Sequence, residues 1–266
     1  MKKHYIELWL LLASAFVIFA VASAFDMPKI GNHTLKSSEI ASVLFAERAE
    51  APVLSDSMEL LIDKMQAHVE EIFPLPTDTT SQRILFIGDS MLEGLSPRLA
   101  AYCEYNGHEL YSVIWYSSTS EIWGKSDKLA KYIETFKPTY IIISLGANEL
   151  FVGDIERKRR QYVEKIIDDI GDIPFIWIGP PNWKPDTGIN RLVSSLAPKG
   201  CFFLSDGMHF NRAKDGAHPT RSSAVDWLDS IVRWMPLNAR QPIRLEKPEK
   251  STAKPKRVIV HQPSEK

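Results

Sequence analysis

Three short stretches of this sequence carry residue types that can build a nucleophilic site. Ser90 ends a Gly-Asp-Ser motif, Asn148 lies in a Gly-Ala-Asn-Glu motif, and Asp215 precedes His218 by three residues. A serine hydroxyl becomes a nucleophile when a neighbouring imidazole accepts its proton, and a carboxylate can hold that imidazole in the useful tautomer. We therefore predict Ser90 as a nucleophile, His218 as its base and Asp215 as the group that orients His218.

The residues between these motifs predict the elements that position them. Short apolar runs predict five strands at 84–87, 110–116, 140–145, 175–178 and 201–204, and helical spacing predicts helices at 92–105, 125–136, 155–170, 189–196 and 222–234. Strands that are apolar on both faces and alternate with helices indicate a parallel sheet in a three-layer α/β/α sandwich. The carboxyl ends of the strands would then bring Ser90 and Asn148 to one edge, where the Asn148 amide and the N–H groups of a helix start can hold a negative oxygen.

The order of the motifs resembles that of the SGNH, or GDSL-like, hydrolase superfamily, and the resemblance covers residues 84–234. The motif ending at Ser90 is similar to the first block of the family. The motif of Asn148 and Glu149 is similar to the third, with Glu in place of the usual Asp, and the motif ending at His218 is similar to the last. The resemblance implies a flavodoxin-like domain that cleaves or transfers acyl esters without a metal or another cofactor.

The second block of the family is where this sequence departs from it. Residues 115–120 follow the second predicted strand and contain no glycine, whereas the family usually supplies a glycine there. That glycine is similar in role to a backbone N–H donor, and Ser118 is the best positional match. The resemblance therefore implies an oxyanion hole made by Ser90, Ser118 and Asn148.

A second Asp-x-x-His pair, Asp206 and His209, lies nine residues before the pair of Asp215 and His218. The pair ending at His218 directly precedes the last predicted helix and continues into Pro-Thr, which resembles the last block of the family, so His218 is favoured over His209. We expect His209 to line the mouth of the site. The two pairs together could also be drawn as a metal site, but that interpretation leaves Ser90 and Asn148 unexplained, and we predict no metal.

Several aromatic residues lie near the predicted strand ends. Trp123 and Trp183 are predicted to line a substrate cleft, because flat apolar rings with polar edges suit contact with sugars or acyl chains. Packing in the core is the alternative for such residues, and it is the better interpretation of Trp177. Cys103 and Cys201 lie far apart, outside any CxxC motif, and free buried thiols are favoured over a disulfide.

The two ends of the chain differ in composition from its middle. Residues 1–25 contain Lys2 and Lys3 followed by an uncharged run from Leu8 to Phe25, which predicts a signal peptide or a signal anchor and an exported domain, periplasmic or on the cell surface. Residues 26–80 are predicted to be a connector with one packing helix, and residues 81–236 the catalytic domain. Residues 237–266 are rich in Lys, Pro and Glu and are predicted to be a flexible basic tail.

These observations predict an esterase that acts on an O-acylated saccharide or lipid of the cell envelope. The formal net charge of -1 argues against a protein built mainly to bind nucleic acid. Two alternatives stay open at this point. One is an O-acyltransferase that uses the same triad, with a membrane-bound acyltransferase as its partner, and the other is a non-catalytic glycan-binding module.

Overall fold

The computed structural model describes residues 76–263, which lie within one compact unit. Its strands are β1 (Arg83–Gly88), β2 (Glu109–Trp115), β3 (Tyr140–Ser144), β4 (Phe175–Ile178), β5 (Phe202–Phe203) and β6 (Arg257–His261). Its α-helices are α1 (Leu92–Asn106), α2 (Ser120–Lys125), α3 (Lys128–Phe136), α4 (Ile155–Ile170), α5 (Ile189–Leu196) and α6 (Arg221–Asn238), and a 3₁₀ turn spans Ala147–Glu149.

The described strands form one parallel sheet in the order β5-β4-β3-β1-β2-β6. The chain runs from β1 outward to β2 and then returns to β3 on the other side of β1. The crevice between β1 and β3 is therefore the point where the winding reverses, and in such sheets this is where ligands bind. The predicted parallel α/β sandwich is confirmed.

The two faces of the sheet are covered by different helices. Ile84 and Phe86 of β1 pack into one core cluster with apolar residues of α1 and α6, whereas Leu85 and Ile87 pack into a second cluster with α2, α3, α4 and α5. All four side chains are fully buried. Because neighbouring residues of a strand point to opposite faces, a continuous apolar strand requires a layer of helices on each side.

The prediction of five strands and a flexible tail after residue 236 was wrong. Val258, Ile259 and Val260 pair with β2 as a sixth strand, β6. The segment before it is tied to α1 by polar groups: the Arg98 guanidinium donates to the Lys250 carbonyl over 2.9 Å, and the Ala253 N–H donates to the Pro97 carbonyl over 2.9 Å. The sequence pointed to disorder because this segment is poor in apolar residues, but backbone hydrogen bonds to the domain order it instead.

Other element boundaries differ in detail. The helix predicted over 125–136 is two helices, α2 and α3, because the chain is extended at Ser126, whose ψ angle is 159°. The strand predicted at 201–204 contains only two residues. Cys103 and Cys201 are buried and free, which confirms the prediction for them.

The predictions for residues 1–25 and for most of the connector lie outside the described residues. Residues 76–80 of that predicted connector belong to the domain, since Asp78 forms a bridge to Ile243 near the other end. None of the helices within 76–263 has the length and apolar character that crossing a bilayer requires.

Candidate active site

Ser90 lies in the tight turn between β1 and α1. A side chain at Gly88 is impossible in this turn, because a Cβ atom there would lie 1.9 Å from the Ser144 carbonyl oxygen of β3. That carbonyl accepts from the Asp89 N–H over 3.0 Å. The Ser90 N–H, one residue before the N-cap of α1, has no acceptor among the described residues and is available to a ligand.

The Ser90 side chain belongs to a chain of two hydrogen bonds. Its Oγ lies 2.8 Å from Nε2 of His218, and Nδ1 of His218 lies 2.8 Å from Oδ2 of Asp215. A carboxylate can only accept, so Nδ1 of His218 carries the proton and Nε2 accepts from the serine hydroxyl. The structure thus brings together the three residues predicted as nucleophile, base and orienting group.

Asp215 and His218 are presented by a hairpin over residues 211–220. The Ala213 N–H donates to the His218 carbonyl over 2.8 Å, and Thr220 caps the start of α6 by accepting from the Ser223 N–H. Oδ1 of Asp215 accepts from the N–H groups of Ala217 and His218 at 2.8 and 3.0 Å. These two backbone bonds, with the His218 ring, lower the pKa of Asp215 to about 2 although the side chain is 52% exposed.

Arg212 connects this hairpin to the loop after β4, and sequence reasoning missed it. Its guanidinium donates to the Ala217 carbonyl over 2.8 Å, and to the carbonyls of Pro181 and Asn182 over 3.0 and 2.9 Å. Since Ala217 is the residue before His218, the arginine holds the hairpin at the sheet edge. An arginine in a loop has no local sequence signal for such a role, because two of its three acceptors are carbonyls about 30 residues away.

Asp89 is a buried carboxylate that holds the third motif in place. It is 1% exposed, and its oxygens accept from the N–H groups of Met91, Gly146 and Ala147 at 2.9, 3.3 and 3.2 Å. Burial raises the pKa of Asp89 to about 6, and the three N–H groups limit that rise. Asp89 therefore links the turn of Ser90 to the loop that carries Asn148.

The structure contradicts the assignment of Ser118 as a backbone donor to the oxyanion. Its N–H already donates to the Trp115 carbonyl over 3.1 Å, and its hydroxyl accepts from the Trp123 ring N–H. The preceding residue, Ser117, has a φ of 57°, in the left-handed region that favours glycine. The Ser117 N–H has no acceptor among residues 76–263, so Ser117 occupies the conformation in which a glycine is expected.

Asn148 lies directly beside this turn. One N–H of its side-chain amide donates to the Ser118 carbonyl over 2.9 Å. The bond ties the loop after β3 to the turn after β2. A primary amide has two N–H groups, so the other remains for a ligand. Only the tertiary structure distinguishes Ser117 from Ser118, because a positive φ leaves no mark on a Ser-Ser sequence.

The predicted cleft residues differ in their surroundings. Trp123 is 1% exposed and packs edge-on against Trp115 at 5.3 Å, so it belongs to the core and its assignment to the cleft was wrong. Trp177 is fully buried, as its core interpretation requires. Trp183 is partly exposed and packs against Phe151, which is 60% exposed. His209 is exposed, and the Ser90 hydroxyl donates its hydrogen bond to His218 rather than to His209.

The two Asp-x-x-His pairs do not form a metal-binding cluster. Within residues 76–263, no group of three or more His, Cys, Asp and Glu side chains has the arrangement to hold a metal ion. Asp215 and His218 bond to each other and to Ser90, whereas Asp206 accepts from the N–H of the next residue, Gly207.

Several solved structures are similar to part of this chain. No family model matches the sequence, and no curated protein matches it. Solved structures similar to the chain include a psychrotrophic esterase from a Pseudoalteromonas species, at 16% identity over 57% of this chain and 94% of that chain, with a TM-score of 0.43.

Two further structures are a lipase/acylhydrolase and an acyltransferase. The lipase/acylhydrolase is from Enterococcus faecalis and matches at 19% identity over 57% of this chain and 95% of that chain, with a TM-score of 0.45. The salicylyl-acyltransferase of a tetracycline biosynthetic pathway matches at 16% identity over 59% of this chain and 55% of that chain, with a TM-score of 0.42. At such distances the chemistry of this chain has to be inferred from its own site.

Proposed function

We propose that this protein is a serine-dependent ester hydrolase. The observation that carries the proposal is the unbroken relay from Ser90 through His218 to Asp215, with both hydrogen bonds at 2.8 Å. A serine at a helix start is usually only a cap, but a cap has no need of an imidazole and a carboxylate in line. The relay also weakens the alternative of a non-catalytic module, which would retain the fold without it.

In the first step, Ser90 Oγ attacks the ester carbonyl carbon while its proton moves to Nε2 of His218. The tetrahedral intermediate collapses when the C–O bond to the leaving group breaks, and the leaving oxygen takes the proton from Nε2. Water then attacks the acyl-enzyme and gives its proton to His218, and the release of Ser90 returns that proton to Oγ. Asp215 stabilises the imidazolium that forms in both steps.

The negative oxygen of the intermediate needs donors that are free in the resting site. We assign the N–H groups of Ser90 and Ser117 and the second N–H of the Asn148 amide to this role. Ser117 replaces Ser118 in the assignment because the Ser118 N–H is occupied by the Trp115 carbonyl. Loss of one such donor typically costs ~3 kcal/mol of transition-state stabilisation.

An O-acylated saccharide is the substrate class that the surroundings of the site favour. Phe151 lies three residues after Asn148, and its ring packs at 5.3 Å against Trp183. Lys184 lies over both rings, with its Nζ 4.4 Å from the Phe151 centroid and 5.0 Å from that of Trp183. Arg212 ties the neighbouring carbonyl of Asn182 to the His218 hairpin. An exposed aromatic pair beside a catalytic loop suits the apolar face of a sugar ring.

The sequence supports an exported location for this activity. Lys2 and Lys3 precede an uncharged run of apolar residues, and this pattern is typical of a segment that directs the following chain out of the cytoplasm. An O-acylated polymer of the cell envelope would be accessible there. Export and envelope substrate are parts of the same proposal.

The proposal is tested with the full chain purified in detergent. We expect hydrolysis of p-nitrophenyl acetate and covalent labelling of the protein by a fluorophosphonate probe. Ser90→Ala should abolish both, whereas Ser194→Ala, which changes an exposed serine of α5, should leave both unchanged. Labelling or turnover retained in Ser90→Ala would contradict the assignment of the nucleophile.

The substrate class is tested in the same preparation. Wild-type protein should release acetate from an O-acetylated polysaccharide, and Trp183→Ala should raise KM for this polymer while kcat for the small aryl ester stays unchanged. Equal KM values for the two proteins would remove the saccharide from the proposal. Transfer of acetyl from the aryl ester onto a deacetylated polymer, faster than hydrolysis, would identify an acyltransferase instead.

A further inference from the structure

Glu149 is a buried carboxylic acid that the proposed mechanism does not use. It follows Asn148 directly and is 0% exposed. Its Oε1 accepts a short hydrogen bond from the Ser120 N–H. Ser120 is the first residue of α2 and follows the Ser117–Thr119 turn. The Glu149 side chain therefore runs from the loop after β3 to the segment after β2.

Asn148 and Glu149 bind the same segment from two adjacent positions. The Asn148 amide donates to the Ser118 carbonyl, and the Glu149 carboxyl accepts from the Ser120 N–H two residues later. On the other side of the loop, Asp89 accepts from the N–H groups of Gly146 and Ala147. The loop that carries Asn148 is thus held at both ends by buried carboxyl groups.

The two departures from the family pattern meet at this junction. Ser117 stands in a left-handed conformation, which is strained for an L-residue and which a glycine adopts freely. Glu149 stands where the family usually has the shorter Asp. The extra methylene lets the carboxyl lie against the start of α2, which limits the freedom of the turn that contains Ser117.

We propose that Glu149 is a positioning residue that aligns the Ser117 N–H and the Asn148 amide for the oxyanion by joining their two loops through Ser120. The proposal rests on the esterase function proposed above. Glu149 contacts neither the nucleophile Ser90 nor the ester. It therefore acts on kcat through the positions of the Ser117 N–H and the Asn148 amide. A displacement of about 1 Å in a catalytic group can cost on the order of a hundredfold in rate.

The groups around Glu149 define what its protonation does. Burial raises the pKa of Glu149 to about 7, and the negative charge of Asp89 contributes to this rise. Hydrogen bonding from Ser120 and the positive charge of Arg159 on α4 act in the opposite direction and lower the pKa. Oε2 of Glu149 has no hydrogen-bond partner among residues 76–263. Below about pH 7 the group is neutral. Above that pH, a buried negative charge beside Asn148 opposes the developing oxyanion.

The substitutions Glu149→Gln and Glu149→Met separate the effect of the hydrogen bond from the effect of the charge. Glu149→Gln keeps an oxygen for the Ser120 N–H and stays neutral, so we expect kcat for p-nitrophenyl acetate within about threefold of wild type at pH 6. Glu149→Met fills the space without the acceptor and should lower kcat by about 10–100-fold, with KM changed less than about threefold. Glu134→Met, an exposed position on α3, serves as the matched control.

The pH profile gives a readout that a purely structural role would not move. Between pH 6 and 8.5, wild-type kcat should fall relative to that of Glu149→Gln, because only the wild type gains the buried charge. If the kcat of Glu149→Met equals that of the wild type, the proposal is overturned. If Glu149→Met does not fold by circular dichroism, identical pH profiles for wild type and Glu149→Gln overturn it. An inactive, unlabelled wild type overturns the esterase function itself.

Discussion

The two halves of the candidate site use the same chemical group in opposite environments. Asp215, on the hairpin before α6, is 52% exposed and has a pKa of about 2. Asp89 and Glu149, on the loops after β1 and β3, are 1% and 0% exposed and have pKa values of about 6 and 7. Local hydrogen bonds lower the pKa of the carboxyl that orients the base, whereas burial raises the pKa values of the two carboxyls that hold the oxyanion loops.

The difference shows how a hydrolase site can divide its tasks. The hairpin acquires its conformation from bonds among residues 211–220 and is held to the sheet edge by Arg212. The oxyanion loops depend on core groups from three strand ends, and their donors are aligned only when the sheet is complete. We therefore expect changes in the hairpin to affect activity alone, and changes at the buried carboxyls to affect both activity and stability.

The largest effect is expected from Asp215→Asn. An amide at this position still accepts from the Ala217 and His218 N–H groups, but it presents an N–H to the ring and favours the wrong tautomer of His218. We expect kcat for an aryl ester to fall by ~10²–10⁴, with the free energy of unfolding close to that of wild type because the side chain is exposed to solvent. Asp206→Asn, in the exposed second Asp-x-x-His pair, should change neither, and a loss there equal to that of Asp215→Asn would reverse the assignment of the base.

Because the pKa of Asp215 is about 2, its carboxylate is ionised throughout the usual assay range of roughly pH 4 to 9. The acid side of the activity profile therefore should not contain an ionisation of Asp215. Its stabilising contribution would be lost only as the pH falls from the unfolded value of about 4 toward 2.

Asp89→Asn is expected to reduce both stability and activity, which would separate the two halves experimentally. One carboxylate oxygen becomes an NH₂ group that faces backbone N–H donors, so at least one buried donor loses its acceptor. We expect a loss of ~1–3 kcal/mol in the free energy of unfolding, measured by urea titration near pH 4, where burial of the Asp89 charge does not oppose folding, together with a lower kcat at the assay pH. Asp127→Asn, at an exposed position before α3, is the control, and unchanged stability in Asp89→Asn would contradict the role of Asp89.

The pH dependence of that stability has a defined sign. The folded pKa of Asp89, about 6, is above the unfolded value of 3.8, so the folded state holds a proton that the unfolded state releases. Wild-type stability should therefore fall as the pH rises from about 4 to 6. The variant lacks the contribution of Asp89 to this slope, although the contribution of Glu149 remains.

The smallest effect is expected from Ser117→Gly, which removes the side chain from a left-handed residue. Glycine removes the strain of the left-handed backbone, but it also gives the unfolded chain more conformational entropy, which offsets part of the gain. We therefore expect the free energy of unfolding to rise by ~0.5–1 kcal/mol and kcat to stay within about threefold of wild type. Lys137→Gly changes another residue of positive φ, 46°, away from the site, and should give a similar gain. A large loss of activity in Ser117→Gly alone would show that the Ser117 side chain takes part in the reaction.

Much of the fold could be predicted because its signals are local. Continuous apolar strands and helical spacing were sufficient for α4, α5 and β4, whose bounds agree with the structure. Strand β6 was missed because its order comes from pairing with β2 and from hydrogen bonds to α1. Trp123 was misplaced for a similar reason, since a tryptophan after a strand can face the core or the cleft with the same sequence around it.

Ser90, Asn148, Asp215 and His218 were identifiable as candidates because each follows a predicted strand or precedes a predicted helix in a recognisable motif. Their residue types and order depend on the chain alone. Tertiary structure decided which serine after β2 presents a free N–H and which histidine reaches Ser90. It also raised the pKa values of Asp89 and Glu149, so that these groups keep their protons to higher pH. Backbone φ, burial and distances between sheet edges arise only when residues far apart in sequence pack together, and these quantities set the direction of every donor in the site.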